Sequence, residues 1–590
     1  MLSFTINNIP LLLSENTSVR LTWYNPFFTF REYQGDVGMG IELPVNDHNR
    51  AMLGNPERFE KHSTTNDREF TGFEVRYSGT LLMSGTLVIL EPTAGGYSGW
   101  LRGNVGNIGK EYREKFIHEI DAFAENITWQ NKTSYVPGTD DYCCPKIHNR
   151  QFFEDFGSPV SDQEDTVFKY RFFETTGHHV NDKNIDGSVK AVADSANFQQ
   201  PEEVADFDVY VVSPMLFVDV AISFLLKNVD WYIDANAIAD NATLKQWCIY
   251  NNFDITNMVL TTTGDWVEND WFDGEIIRVS AKEFNTVTRN YTSQFLYNKL
   301  LPKISLLNFI LSVQNSTNTF LYFKVRNKFD ILDREAILSG VPDDISDYMV
   351  GVWKIGEKKD VTLKFTFEHD ENDVIFSERF ENLDDRLNDI GEPVADRVAL
   401  VSIASPTVGE IRYIIDEGIF SEYGYVEAID RGDDNEENKT PMLGWKHISI
   451  GFQNGIYNSG KDQEEEIPTK LGSFVGDPPR TEQKGNFNLL NNDLNFSLRF
   501  LSNSGSAFNS LQWEGETGLL ATRWPLTSRF LSTRQAVSGQ AQLPLNVMDW
   551  VIRRLPYKKR APEGEFIIEK MECEFSMKKI GTTKMEGYKV

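Results

Sequence analysis

The chain has 590 residues, of which 40% are apolar and 13% aromatic, so it can bury large cores and cannot be wholly disordered. Its 58 Lys and Arg against 87 Asp and Glu give a net charge of −29, which disfavours binding to nucleic acid and to anionic membranes. Four cysteines are too few for a disulfide framework, and the length predicts about four domains.

The chain carries neither a signal peptide nor a membrane span by the usual sequence criteria. Its first ten residues lack the basic start of a signal peptide. The most apolar run, Met215 to Leu226, is too short to cross a bilayer and contains Asp219, so it predicts a buried helix.

Residues 1–110 predict an N-terminal β domain. Phe73, Val75 and Tyr77 alternate with polar residues, which indicates a half-buried strand. Glycine-containing turns separate it from two further strands, and these are Thr80 to Leu90 and Tyr97 to Leu101. Residues 111–205 are mixed in pattern, with a candidate helix from Glu111 to Phe123, and we interpret them as an insertion or a long decorated loop region.

Residues 206–340 predict a helix-plus-hairpin domain. Ser213-Pro214 has the form of an N-cap followed by proline in the first turn, and it predicts a helix start. Ser305 is a second candidate N-cap, and the apolar residues after it fall on one helical face: Leu306, Phe309, Ile310 and Val313. A polar break at 314–318 should end that helix. The hairpin strands that follow are predicted at Phe320–Val325 and Phe329–Leu332.

The remaining sequence predicts a second β domain at 341–480 and a C-terminal docking segment at 481–590. Strands are expected at Val361–Phe367, Arg397–Ala404 and Ile411–Ile415, and the acidic tracts at 433–437 and 464–466 read as exposed loops. Near the end, Asn546 is a candidate cap for a helix with Val547, Trp550 and Val551 on one face. Met571, Cys573 and Phe575 alternate as in a strand. The fold class is therefore α+β, mainly β, with several domains of β-meander or barrel-like form and a smaller helical middle portion.

The charge is uneven along the chain. Residues 551–590 contain ten Lys and Arg against six Asp and Glu, a net of +4, so residues 1–550 carry −33. The basic residues concentrate in a knot of Arg553, Arg554, Lys558, Lys559 and Arg560. This knot is either a solvated helix end or a docking surface for an acidic neighbour, which another copy of the chain would supply.

Complete catalytic motifs are missing from the sequence. Gly103 to Lys110 is rich in glycine, but Asn104 occupies the position of the first P-loop glycine and Glu111 that of the hydroxyl residue that holds magnesium. Cys143, Cys144 and His148 offer soft metal ligands without a distant pair to complete a zinc tetrahedron. We predict no catalytic residues, no enzymatic activity and no cofactor.

The best metal candidate is a half calcium loop, in which Asp182, Asn184 and Asp186 precede Gly187 as alternate oxygen ligands. The twelfth position, which should be a bidentate glutamate, is Ala193, so a surface turn is the favoured interpretation. The many aromatic and acidic residues leave open an alternative function in carbohydrate cleavage or binding, although no carboxylate pair is marked out.

Three groups of segments resemble tail hub or baseplate-hub-like virion proteins of phages and prophages of Bacteroidetes hosts, including the crAss-like phages. The first group is Ile41–Gly54, Phe73–Leu87 and Tyr97–Asn104, the second is Ser213 through Ile233 followed by Trp247–Asn251, and the third is Leu300 through Leu338. The resemblance implies a structural tail protein that is made in the host cytoplasm and carried in the virion.

The same resemblance implies the partners. Copies would form a homo-oligomeric ring around the tail lumen and connect other phage tail proteins, and no catalytic residues come with the family. An acidic lumen would let DNA pass without specific binding, because like charges deny the protein its phosphate contacts.

Overall fold

A computed structural model describes, with side chains, residues 1–30, 35–56, 68–90, 95–103, 115–117, 128–145, 212–227, 231–250, 300–302, 304–324, 328–358 and 518–590, as well as residues 181, 188, 473 and 474. It also gives the backbone course of further short and long strands between residues 126 and 499. The predicted helix at Glu111–Phe123 (apart from 115–117), the predicted strand at Val361–Phe367 and the two acidic tracts lie outside the described residues.

The N-terminal region alternates strands with tight turns. Its elements are β1 (Leu2–Ile6), β2 (Ile9–Pro10), β3 (Ser18–Tyr24), β4 (Val37–Pro44), α1 (Asp47–Leu53), β5 (Glu69–Tyr77), β6 (Thr80–Pro92) and β7 (Gly96–Gly103). The predicted meander is confirmed, because β5, β6 and β7 are consecutive antiparallel neighbours and Phe73 and Val75 are buried. Ser78 and Gly79 have φ values of 48° and 85°, which suit the tight turn between β5 and β6.

The next region combines short strands with helices. Its elements are β8 (Asn126–Thr128), β9 (Tyr142–Cys143), β10 (Ile147–Asn149), β11 (His179–Val180), β12 (Ser195–Phe198), β13 (Met215–Leu216), α2 (Val218–Asn228), β14 (Tyr232–Asn236), α3 (Ala237–Asp240), β15 (Trp247–Ile249), β16 (Phe253–Asp254), β17 (Thr256–Phe272), β18 (Glu275–Tyr291) and β19 (Gln294–Leu296). The predicted helix start at Ser213-Pro214 is wrong, since the helix begins at Val218. Met215 and Leu216 pair instead with β9, so their backbone belongs to a strand ladder.

The helix and hairpin expected after Ser305 are present. The elements here are α4 (Leu306–Thr317), β20 (Thr319–Phe323), β21 (Lys328–Asp333), α5 (Arg334–Ser339), β22 (Asp343–Asp344) and β23 (Met349–Lys358). Ser305 caps α4 through Asn308 N, as predicted. The predicted end within residues 314–318 is confirmed, because α4 ends at Thr317 with Asn318 as its C-cap, and its last turn is buried.

The rest of the chain contributes short strands and a well-described C-terminal region. The short strands are β24 (Ala399–Ser405), β25 (Gly409–Ile415), β26 (Val426–Glu427), β27 (Pro441–Met442), β28 (Lys446–His447), β29 (Phe452–Gln453), β30 (Tyr457–Asn458), β31 (Lys470–Phe474) and β32 (Leu498–Arg499). The C-terminal elements are α6 (Leu519–Thr522), α7 (Pro525–Ser532), β33 (Gln535–Ala541), α8 (Leu545–Arg553), β34 (Lys559–Ala561), β35 (Gly564–Ser576) and β36 (Thr583–Lys589). β24 and β25 form an antiparallel pair, in agreement with the strands predicted there.

Two predictions for the C-terminal region have different outcomes. Asn546 is not a cap, because Pro544 occupies that position and α8 begins at Leu545. Trp550 is 36% exposed, whereas Met548 and Val551 are the buried residues of this helix. The alternating strand is confirmed in β35, where Met571, Cys573 and Phe575 are all buried.

One sheet unites the two ends of the chain. Among the described residues it has 13 strands, with the main order β2-β1-β5-β6-β7-β4-β3-β35-β36-β33-β23, and this path is open rather than a closed barrel. β3 pairs with β35 across more than 500 residues of sequence. The predicted class, α+β and mainly β, is confirmed. The predicted domain boundaries remain predictions, and the regions 1–110 and 481–590 both contribute strands to this sheet.

Two groups of buried apolar residues stabilise the described structure. We call the first the sheet core, which includes Phe4, Leu21, Phe73, Leu101, Met571 and Phe575. We call the second the middle core, which includes Phe27, Phe217, Trp247, Phe309, Phe320, Trp524 and Phe530. Phe27 follows β3 directly, so the chain passes from one core to the other within a few residues.

Candidate functional site

A fully buried arginine lies at the meeting point of three distant parts of the chain. Arg334 is the first residue of α5 and has 0% exposure. Its Nε donates to the carbonyl of Phe27 at 2.9 Å, and its two Nη atoms donate to the carbonyls of Thr319 and Thr29. The planar guanidinium can bind several acceptors in fixed directions, so this one side chain fixes the N-terminal segment against the hairpin.

Aromatic rings surround the same guanidinium. Its Cζ lies 4.4 Å from the ring centroid of Phe30, 5.1 Å from that of Phe320 and 5.9 Å from that of Phe27. Cation–π attraction is strongest where water is excluded, as it is here. The buried charge is therefore compensated by carbonyl dipoles and ring faces.

The two acidic neighbours of Arg334 bind the C-terminal region. Asp333 caps α5 by accepting from Glu335 N at 2.9 Å, and its other oxygen accepts from Arg523 Nη2 at 2.9 Å. Arg523 also donates to the carbonyl of Thr317 at the end of α4. Asp333 thus links α5, α4 and the segment before α7.

Glu335 provides the N-terminal cap that α7 lacks in its own sequence. Trp524, at the N-cap position of α7, makes no side-chain cap hydrogen bond. The Glu335 carboxylate accepts instead from Leu526 N at 3.0 Å and from Thr527 N at 2.7 Å. A carboxylate is favoured there because the first amides of a helix are free donors at the positive end of its dipole.

Buried amides complete this arrangement. Asn315 donates to the carbonyl of Phe30 at 2.9 Å. Asn318, which ends α4 at a φ of 56°, donates to the carbonyl of Arg523 at 2.6 Å and to Thr527 Oγ1 at 2.9 Å. We refer to Asp333, Arg334, Glu335, Asn315, Asn318 and Arg523 together as the buried junction.

The basic knot at 553–560 is paired within the chain. Lys559 is fully buried, and its Nζ donates to Asp343 Oδ2 at 2.8 Å and to two backbone carbonyls. Arg554 also binds Asp343 at 3.0 Å, while Lys558 and Arg560 bind Glu565 and Arg553 binds Asp549. Burial lowers the pKa of Lys559 to about 8, against the opposing effect of Asp343. These charges therefore tie the segment at β22 to the C-terminal sheet.

The residues that the sequence offered as metal ligands lie partly inside and partly outside the described residues. Asp182, Asn184 and Asp186 lie outside the described residues, as do residues 104–110 of the glycine-rich stretch. Cys143 and Cys144 are buried in the middle core, where Cys143 Sγ contacts the Met215 carbonyl at 3.7 Å. The backbone at His148 lies in β10 opposite His179.

The chemistry of the buried junction is that of a fixed contact. Its donors are directed at main-chain carbonyls, and its carboxylates accept from main-chain amides and from Arg523. Within the described ranges, no group of three or more His, Cys, Asp or Glu side chains is placed to hold a metal ion. Within the same ranges, no helix is long and apolar enough to cross a membrane. Residues 333–338 belong to the segments that resemble hub proteins, but the sequence does not reveal the role of Arg334, since two of its three acceptors lie about 300 residues away.

Comparisons with known proteins complete the description. No family model matches the chain, and no curated protein matches it. Among solved structures, the chain is similar to the 43 kDa tail protein of prophage MuSo2 from Shewanella oneidensis, with a TM-score of 0.31 and 6% sequence identity over 100% of this chain and 97% of that chain. A TM-score this low does not establish a shared fold, so no functional conclusion follows from the similarity.

Proposed function

We propose that this chain is a non-enzymatic structural subunit of a phage tail, a tail hub or ring subunit that assembles into a closed ring around the DNA channel and connects other tail components. The buried junction is the observation that carries this proposal. Its charged side chains bind backbone groups from the N-terminal, middle and C-terminal regions, which favours a stiff body over a site open to substrate.

The segments that resemble hub proteins support the same proposal. Glu335 to Leu338 lies in α5, and Leu300 to Ser305 leads into α4, so the third group of segments builds the middle core and the buried junction. The first group forms β4 to β7 of the long sheet. A sheet that joins strands of residues 2–103 to strands of residues 535–589 would help this body to carry force between neighbouring tail parts.

The charge distribution fits a ring that surrounds DNA. A net charge of −29 per copy repels phosphate groups, so DNA would pass the ring without sticking. Rings are built from one heterologous contact repeated until the rotation closes, and opposite charges on the two contacting surfaces favour such a contact.

The proposal is tested by imaging and sizing the purified protein. We expect mass photometry and negative-stain electron microscopy to show a discrete closed oligomer, and mass spectrometry to detect the chain in purified virions. A chain that stays monomeric at high concentration and is missing from virions would contradict the proposal. Release of reducing sugar from bacterial glycans by the pure protein would support the carbohydrate-active alternative instead.

A further inference from the structure

A surface groove of about 370 Å³ lies between α7, the end of β23 and the end of β36. The buried side chains of Leu338 and Phe530 form its apolar floor, and Leu526 on its rim is 40% exposed. Arg529 and Lys589 line the same groove from opposite elements, and both are exposed. An apolar floor with cationic walls is suited to an acidic protein surface rather than to an uncharged one.

This groove differs from the basic knot in the acidic side chains that surround its cations. The cations of the knot are paired with Asp343, Glu565 and Asp549, whereas the lining of the groove in the described part of the chain contains no Asp or Glu side chain. Val590 also lines the groove. The surrounding sequence remains basic, because residues 518–548 contain three Arg and no Asp or Glu.

The groove continues into an exposed apolar strand. β23 is the last strand of the long sheet as far as the described residues extend, and Lys358 at its end pairs with Gln535 in the groove wall. Along β23, Val350, Val352 and Ile355 are 48%, 84% and 45% exposed. Exposed apolar side chains on an outer strand are typical of protein–protein contact surfaces.

We propose that this groove and the adjoining face of β23 bind an acidic surface of a second copy of this chain in a head-to-tail contact. This inference rests on the proposed function as a ring subunit, and it identifies the surface through which one subunit would contact the next. Charge complementarity selects this occupant, since Lys358, Arg529 and Lys589 line the groove and each copy has a net charge of −29. The basic groove of one copy therefore attracts the acidic surface of the next, and the two contacting surfaces differ, as a ring requires.

The test compares two double variants with the same change in charge. Arg529→Glu with Lys589→Glu reverses the groove. Lys578→Glu with Lys579→Glu is the control, because both lysines are exposed in the turn after β35, about 33 Å along that strand from the residue opposite Lys589. Sedimentation velocity at several protein and salt concentrations should show the groove variant dissociating at about 100-fold higher concentration, with the control like wild type.

A third variant and a mixing experiment sharpen the test. Leu526→Glu changes an exposed rim residue, so it should fold normally by circular dichroism and weaken the oligomer in the same direction. A groove variant added to wild-type protein should shorten the assemblies, because its intact acidic surface still binds a neighbour while its groove cannot. If wild type forms the ring and the groove variants form it equally well, the docking inference is wrong while the ring proposal stands. If wild type forms no oligomer, both are wrong.

Discussion

The sheet core and the buried junction stabilise the same molecule by different means. In the sheet core, Leu21, Met571 and Phe575 contribute apolar side chains on alternating positions of β3 and β35. In the buried junction, Arg334 and Glu335 contribute charges that bind distant backbone groups, and Asp333 binds the distant Arg523 side chain. Apolar packing depends on volume and tolerates similar shapes, whereas a hydrogen-bonded charge depends on the number and direction of its donors. The junction should therefore be the more sensitive region, and substitutions in the two regions can be compared directly.

The largest effect is expected at Arg334. Arg334→Met keeps an apolar side chain of similar length but leaves the buried carbonyls of Phe27, Thr29 and Thr319 without their donor, which should lower the free energy of unfolding by about 3–5 kcal/mol. Met571→Leu in the sheet core should cost less than about 1.5 kcal/mol. Urea unfolding midpoints measure the loss of stability in both variants. Equal midpoints for the two variants would contradict the distinction between the regions.

The second effect concerns the attachment of β23 to the sheet. A Cβ on Gly539 would lie 2.2 Å from Trp353 Cε2, so Gly539→Ala should push out the one buried side chain of this strand and cost about 1–3 kcal/mol. Hydrogen exchange should then rise in residues 349–358. Gly96→Ala is the control, because its Cβ would meet only the Leu43 carbonyl at 3.5 Å. Unchanged exchange in β23 would show that Trp353 does not anchor it.

A smaller effect is expected at the cap of α7. Glu335→Gln keeps an acceptor for Thr527 N but removes the negative charge at the helix N-terminus, so it should cost about 1 kcal/mol. Glu586→Gln, at an exposed position of β36, is the matched control. Thermal unfolding in low salt measures the difference, and a Glu335→Gln protein as stable as the control variant would count against the carboxylate cap.

The smallest effect is a pH dependence in the sheet region. Desolvation raises the pKa of Asp36 to about 7 from 3.8, against the hydrogen bond from Tyr24 N, which lowers it. Because the folded-state pKa is the higher one, the folded protein binds the proton more tightly, and this stability is lost as the pH rises from about 4 to about 7. Asp36→Asn keeps the acceptor and should be more stable than wild type at pH 8, on the order of 1 kcal/mol for a half-buried group, with no difference at pH 4. A stability difference between Asp36→Asn and wild type that is the same at pH 8 and pH 4 would contradict this raised pKa.

The sequence predicted the parts of the fold that depend on local patterns. Ser305 and the apolar face after it specified the start and the buried side of α4, and the alternation of Met571, Cys573 and Phe575 specified β35. The turn at Ser78-Gly79 was readable because both residues accept a positive φ. In each case the decisive neighbours lie within a few positions along the chain.

The sequence failed where distant partners override local signals. Residues 314–318 end α4 as predicted, but the sequence does not show that this polar turn is buried. There Thr317 Oγ1 donates to the Val313 carbonyl and Asn315 donates to the Phe30 carbonyl. The helix start predicted at Ser213 is wrong because the residues after it, Met215 and Leu216, pair with the strand Tyr142–Cys143. The role of Arg334 was not predicted, because nothing near it in sequence reveals its contacts with Phe27 and Thr29. The candidate site is thus the least predictable part of the described structure.

The pairing of β3 with β35 has a consequence for synthesis of the protein. The ribosome releases Ser18–Tyr24 long before Gly564–Ser576, and at about 5–20 residues per second the interval is roughly 30–110 s. During that interval one edge of β3 has not yet paired with β35, and the apolar side chains of Val19, Leu21 and Trp23 are exposed to other nascent chains. Expression should therefore benefit from slow translation, low temperature or a bound chaperone, and premature termination before β35 should yield insoluble fragments.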